Sequence, residues 1–155
     1  MKSKVKPKVS IIIRTKNEEK YIKLCLQKIK QQSFKNFEII IVDNYSNDLT
    51  VKKAKEFTKK IIKIKNFIPG KAINEGIKLA KGNIIVVLSA HCLPVNNKWL
   101  SNLIKGLKDK NVAGIYGRQE PMKYTSDIDK RDLLTVFGLD KKIQIKDTFF
   151  HNANS

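Results

Sequence analysis

Three short polar clusters interrupt the apolar runs of this chain. Arg14-Thr15-Lys16-Asn17-Glu18 follows VSIII, Asp43-Asn44-Tyr45-Ser46-Asn47-Asp48 follows FEIIIV, and Ser89-Ala90-His91-Cys92 follows NIIVVL. Their residue types suit hydroxyls, amide edges, anions and metal ions. A carboxylate such as Glu18 or Asp43 accepts hydrogen bonds from hydroxyl or N–H groups. Ser89 can bond a hydroxyl or a phosphate but is a poor metal ligand. His91 can offer neutral imidazole to Mn²⁺, whereas Mg²⁺ prefers oxygen; as imidazolium it can contact an anion directly. Each cluster also has a structural role open to it. Thr15-x-x-Glu18 fits a capping box. Asp43 can end a strand, and Asn47 or Asp48 can cap the next helix. Cys92 reads as buried filler rather than ligand or nucleophile.

The elements that must position these clusters alternate. The pattern predicts strands at 9–15, 37–43, 60–65, 83–88 and 112–117. Between them it predicts helices at 18–32, 48–60, 71–81 and 97–108. Their inward faces are Ile22, Cys25, Leu26 and Ile29; Val51, Ala54 and Phe57; Ala72, Ile73, Ile77 and Ala80; and Leu100, Leu103, Ile104 and Leu107. The run at 83–88 is the most apolar and is expected at the centre of the sheet. After Gly117 a polar loop leads to a short helix near 129–137, and TFFHNANS reads as a strand entering a loop. Strand–helix alternation with near-continuous apolar strands means an α/β fold: a mostly parallel sheet with helices on both faces. Ligands bind beyond the carboxyl ends of such strands, so topology brings the three clusters to one rim. No G-x-G-x-x-G follows the first strand and no P-loop is present, which disfavours a dinucleotide-binding Rossmann domain.

At 155 residues the chain is about one domain. It has no run long enough for a membrane span, and its basic, then apolar, start lacks the features of a signal peptide. Cys25 and Cys92, in separate segments, suit a reduced, cytoplasmic protein. The net charge is +18, and of 32 basic residues only Arg14, Arg118 and Arg131 are Arg. Abundant Lys, Ile and Asn fit AT-rich coding, which explains much of the excess. The remainder is a surface attracted to anions, including peripheral contact with an anionic membrane on the cytoplasmic face. The lysines are dispersed and no nucleic-acid motif appears, so no specific nucleic acid is expected.

The stretch from Val9 to Asp48 resembles the opening of the family 2 inverting glycosyltransferases with the GT-A fold, a Rossmann-like sheet. That family shows a strand, a P-T-x-N-E-like turn, a helix ending in Q-S/T, and a strand ending V-D-D/N-x-S-x-D. Here Arg14 replaces the Pro, Gln32-Ser33 ends the helix, and Val42-Asp43-Asn44 ends the second strand. Gly70, Ala72, Asn74, Gly76, Ala80 and Gly82 match a further family segment, in which Ile73 replaces a common Arg. The resemblance spans about residues 8–115. It implies one GT-A-like domain over 1–155, with a nucleotide-sugar-binding half at about 8–117 and an acceptor-side region beginning at 118–155. It implies a UDP- or other NDP-sugar donor and a glycan or lipid-linked acceptor, in cell-surface polysaccharide biosynthesis. Thr15, Asn17 and Glu18 would line the nucleotide pocket, Glu18 near the ribose. Asp43 would accept from the base edge, and Lys71 and Asn74 would lie near the donor, Lys71 pairing with a phosphate.

The family's D-x-D, which holds a divalent cation on the donor diphosphate, falls on Ser89-Ala90-His91. Both carboxylates are missing. The expectations are Mn²⁺ held by His91, metal-independent contact of His91 with the diphosphate, or a site that does neither. The catalytic base of the family is an acidic residue on the acceptor side, expected beyond residue 155. Glu120, Asp127, Asp129, Asp132 and Asp140 are candidates by type alone. The chain thus reads as the donor-binding part of a longer enzyme, with a smaller complete enzyme as the alternative. A non-catalytic nucleotide-sugar-binding domain is the second functional reading, and a basic anion-binding module the third.

Overall fold

Four runs rich in Ile and Val form one parallel sheet in the computed structural model, which describes residues 6–65, 67–140 and 143–145. In chain order the elements are β1 (Val9–Thr15), α1 (Ile22–Lys30), β2 (Phe37–Asp43), α2 (Thr50–Ala54), β3 (Ile61–Lys63), α3 (Pro69–Lys78), β4 (Ile84–Ser89), α4 (Trp99–Gly106) and α5 (Asp127–Phe137). The strand order is β3-β2-β1-β4. Both faces are covered, which is why the strands read as unbroken apolar runs rather than alternating ones. On one face Ile11, Ile13, Ile39, Ile41, Val86 and Leu88 meet Ile22, Cys25, Leu26 and Ile29 of α1 and Leu100 and Leu103 of α4. On the other face Ile12 and Val42 pack with Ile64 and Ala72 of α3. Gly76 sets how closely α3 approaches the sheet: a Cβ there would stand 2.5 Å from Ile12 Cγ2.

This order creates a switch point. From β1 the chain steps outward through β2 to β3, then returns past β1 to β4. The connections out of β1 and into β4 therefore lie on opposite faces, and the crevice over the carboxyl ends of β1 and β4 is open to a ligand. Arg14 is the register partner of Ser89 there, and Thr15 of Asp43 on the other side.

Several elements differ from the sequence expectation. Among the described residues β4, expected at the centre, lies at one end of the sheet, and β1 and β2 are central. Residues 112–117, expected as a fifth strand, form no ladder among the described residues. Ala113, Gly114 and Ile115 instead line a cavity of about 370 Å³ with β4 and α4. Gly114 and Gly117 weaken the segment as a strand, having no side chain to pack and a large entropy to lose. α1 starts at Ile22 because residues 16–21 are used in the rim loop. α2 is only five residues long, and β3 only three. α3 begins at Pro69, a residue suited to a first helical turn, and turns Gly76 rather than Ile77 inward, leaving Ile77 41% exposed. α5 forms near the expected place, with the Ser126 hydroxyl accepting from the Asp129 amide. TFFHNANS lies outside the described residues. Among those described, no helix is long and apolar enough to cross a membrane.

Candidate functional site

The rim is built by two loops that hold each other. After β2, Asp43 is fully buried and accepts the Ser46 amide at 3.0 Å and the Ser46 hydroxyl at 2.5 Å. Such a local carboxylate turn is why Asp so often follows a strand. After β1, Asn17 takes a left-handed backbone (φ 52°), which Asn tolerates better than most residues. Its amide donates to the Ser46 hydroxyl (2.9 Å), and its side-chain oxygen accepts the Asn47 amide (3.0 Å). The Glu18 amide donates to Thr50 Oγ1 (2.7 Å) and the Glu19 amide to Asp48 Oδ2 (3.1 Å). In return, the Leu49 amide donates to Glu19 Oε2 (3.0 Å).

These bonds decide the structural alternatives. The capping box at Thr15-x-x-Glu18 does not form: Glu18's amide goes to Thr50 and α1 begins four residues later. Thr15 Oγ1 is buried and has no hydrogen-bond partner among the described residues. Asp48 does act at the start of α2, accepting the Thr50 amide at 2.9 Å. Burial alone would raise its pKa, but bonds from Thr50 and Glu19 outweigh that and hold it below its ordinary value. Asn47 serves the loop–loop contact instead.

The third cluster closes the rim from β4. Arg14 Nη2 donates to Ser89 Oγ at 3.1 Å, and the Ala90 amide donates to the Arg14 carbonyl at 3.1 Å. His91 Nδ1 stands 2.8 Å from Glu18 Oε1, joining residues 73 apart in sequence. The His91 side chain is 55% exposed and that of Glu18 19%. The imidazole thus faces solvent above a carboxylate set deeper in the rim. Cys92 packs against the main core, and its carbonyl accepts the Cys25 thiol at 3.5 Å. Burial, then Cys92 and Glu18, push the Cys25 thiol up to about 12; Cys92 is also raised, chiefly by burial. Neither is poised as a thiolate. Thr15, Asn17, Glu18, Asp43, Ser89 and His91 therefore meet at one sheet edge. Lys71 and Asn74 are exposed on α3. Lys71 lines an open cleft of about 610 Å³ with Lys63, Lys65 and Lys78. Lys63 is also the register partner of Asp43, so the cleft reaches the rim.

The model of glycosyl transferase family 2 matches residues 10–154. The chain belongs to that family. Its relatives include a Methanococcus voltae dolichyl N-acetyl-alpha-D-glucosaminyl phosphate 3-beta-D-2,3-diacetamido-2,3-dideoxy-beta-D-glucuronosyltransferase. It is 39% identical over 70% of this chain and 38% of its own length. Among solved structures, a Pyrobaculum calidifontis mannosyltransferase in complex with GDP-Man and Mn²⁺ matches with TM-score 0.60 and 26% identity, over 69% of this chain and 34% of that one. Staphylococcus aureus TarS 1–349 in complex with UDP-GlcNAc matches with TM-score 0.57 and 25% identity, over 74% and 37%. The GT-A likeness is thus a likeness of part of a domain, and the chain spans well under half the length of these proteins.

Among the described residues the rim offers a poor donor set for the divalent cation that the family implies. Among the described residues no three or more His, Cys, Asp or Glu stand together as a metal site. At the D-x-D position Ser89 is held by a guanidinium, Ala90 is buried and has no donor, and His91 is tied to Glu18. One imidazole–carboxylate pair beside a fixed cation is a poor donor set for Mn²⁺ and a worse one for Mg²⁺. The sequence places Arg14 in the first rim cluster but assigns it no role at the site. The signal was present: a charged side chain one residue before the end of an otherwise apolar buried strand.

Proposed function

We propose that the chain binds a nucleotide-sugar donor, UDP- or another NDP-sugar, over the carboxyl ends of β1, β2 and β4. In this reading it is the donor half of an enzyme that transfers the sugar with inversion. The observation that carries the reading is the convergence of Glu18, Asp43 and His91, from three distant segments, at the switch point of a parallel sheet. Asp43 accepts from the base edge through lone pairs that Ser46 leaves over, since a carboxylate has about four acceptor sites. Glu18 accepts from a ribose hydroxyl, with Thr15 and Asn17 shaping the same wall. Lys71 contributes positive charge to the phosphates from α3, beside Asn74, and Ser89 and His91 face the diphosphate. Transfer is a single displacement: an acceptor hydroxyl attacks the anomeric carbon, a base takes its proton, and the nucleoside diphosphate leaves with the bonding electrons.

The base is assigned to none of the carboxylates near the end of the described region. Glu120 pairs with Arg118, Asp127 with Lys130, Asp132 with Arg131, and Asp129 with Ser126. A glycan or lipid-linked acceptor is supported by the archaeal relative, whose name gives a dolichyl-linked sugar phosphate. The +18 charge favours work beside an anionic membrane, on its cytoplasmic face, and the relative's sugar-transferring name favours cell-surface polysaccharide as the product class. Calorimetry with UDP, GDP and dTDP tests the donor site. One of them should bind, and Asp43→Asn should weaken it by about 10–100-fold while the protein still melts cooperatively. Silence from all three at millimolar concentration would end the proposal.

A further inference from the structure

The connection from β3 to α3 carries two exposed apolar side chains. Ile64 before it is 8% exposed and Ala72 after it is fully buried, and both belong to the core under α3. Between these anchors Phe67 is 40% exposed and Ile68 61%. Ile68 stands just before the first turn of α3, and its carbonyl accepts the Ala72 amide, so the helix holds it in place.

Lysines border this apolar pair. Lys63 and Lys65 are exposed and line the open cleft between β3 and α3, where Lys71, assigned above to the donor phosphates, adds to the positive charge. Among the described residues Glu75 is the one carboxylate that lines this cleft, and it is paired with Lys78 at 2.8 Å. Tyr45 joins from the loop after β2. It is 50% exposed, with Lys63 Nζ 5.7 Å and Lys65 Nζ 5.8 Å from its ring centre. A lipid surface suits all of these side chains. Aliphatic and aromatic groups gain at the boundary of headgroup and acyl chain, and lysines gain in the negative potential of anionic headgroups. A nucleic acid would engage the lysines but offers no acyl layer to Ile68.

β3 is the outermost strand on its side of the described sheet, and the connection follows its carboxyl end, so the patch lies at one end of the rim. With strands about 4.8 Å apart, it is about 10–15 Å from the crevice over β1 and β4. Contact through the patch sets that crevice beside a bilayer and leaves it uncovered.

We propose that Lys63, Lys65, Phe67 and Ile68, with Tyr45, dock this chain on an anionic lipid bilayer and so present the donor crevice to a lipid-linked acceptor. The proposal deepens the membrane-side reading above and rests on it.

The test is flotation of the 155-residue chain with vesicles of phosphatidylcholine alone, and of phosphatidylcholine and phosphatidylglycerol in equal parts. The chain should float with the second and not with the first. Phe67→Ser with Ile68→Ser should weaken binding to the anionic vesicles by about 10-fold or more. Lys63→Gln with Lys65→Gln should weaken it by about 10–30-fold. Lys105→Gln with Lys108→Gln removes equal charge at the end of α4, on the other face of the sheet, and should cost about 3-fold at most. All six substituted side chains are exposed, so the variants keep the fold. If the wild type floats with neither vesicle, the membrane reading falls and the patch with it, while the donor site is untouched. If it floats but both patch pairs match the wild type, or the α4 pair costs as much as the patch lysines, the patch falls and the membrane reading stands. If the lysine pair weakens binding and the Phe67 and Ile68 pair does not, the surface serves polyanions of any kind, nucleic acid included, and the bilayer proposal falls.

Discussion

At the residue scale, burial and hydrogen bonding set the character of each polar group. Cys25 is fully buried and its thiol is pushed up to about 12, with Cys92 raised beside it. Both should therefore label slowly with a thiol-reactive dye at about pH 8 in the native protein and rapidly in denaturant. Fast native labelling of Cys92 would contradict its place as packing. Glu38 shows the opposite shift. Burial tends to raise its pKa, but the bonds from Lys60, Ser10 and the Lys81 amide, with the Lys60 charge, hold it below the ordinary 4.5. The folded value is depressed, so the stabilisation is present above the unfolded value and is lost as pH falls through the folded one. Glu38→Gln should cost about 1–2 kcal/mol near neutral pH. The gap between variant and wild type in urea unfolding should shrink steadily below pH 4.5. A gap that stayed constant down to about pH 2 would remove the ionic part of that account.

At the scale of elements, the short distance between α3 and the sheet is the sensitive dimension. Ala is a better helix former than Gly by about 1 kcal/mol, so on propensity alone Gly76→Ala would stabilise α3. The Cβ, however, would meet Ile12 Cγ2 at 2.5 Å and Val42 Cγ2 at 3.1 Å, both side chains of the packed core. Overpacking of this kind costs about 1–3 kcal/mol, so the net effect should be destabilising. A melting temperature at or above the wild type's would mean that α3 can lift off the sheet without penalty. Gly70, in the same helix, has nothing within 4 Å of the place a Cβ would take, and Gly70→Ala should be neutral or stabilising in the same assay.

At the scale of the whole molecule, the charge and the rim pull in different directions. A surface of net charge +18 will attract any polyanion, but that attraction is mostly counterion release and falls steeply with salt. Binding of a nucleoside diphosphate at the rim should survive salt much better and should discriminate among bases. Raising NaCl from about 50 to 200 mM should abolish oligonucleotide binding, by about 10³-fold or more for six or more phosphate contacts. UDP or GDP affinity should change far less. Parallel loss of both would favour a general anion surface over a donor pocket. The carboxylates between residues 118 and 140 are mostly engaged with near neighbours, so the chain by itself should turn over a nucleotide sugar slowly. Lack of a positioned base commonly costs about 10²–10⁴-fold. Robust transfer by these 155 residues to a defined acceptor would show that a carboxylate of this chain serves as the base.

The sequence by itself determined the parallel sheet, because Ile and Val on both faces of β1 and β2 leave no solvated side, and helices must cover both. It also determined that the three polar clusters share a rim, since each ends a strand and parallel strands end at one edge. The motif order carried the family as well. What tertiary structure decided was pairing across distance. β4 is as apolar as a central strand, yet it ends the described sheet because 112–117, with two glycines, forms no ladder beside it. Thr15 and Glu18 have the spacing of a capping box, yet the loops after β1 and β2 bond to each other and take Glu18's amide for Thr50. Arg14 and Ser89 looked like two unrelated lapses from a pattern 75 residues apart, and only the β1–β4 register makes them one contact. Residue type and period are local properties and can be read along the chain. Which edge a strand takes, and which side chain meets which across it, depends on competition among all the strands at once.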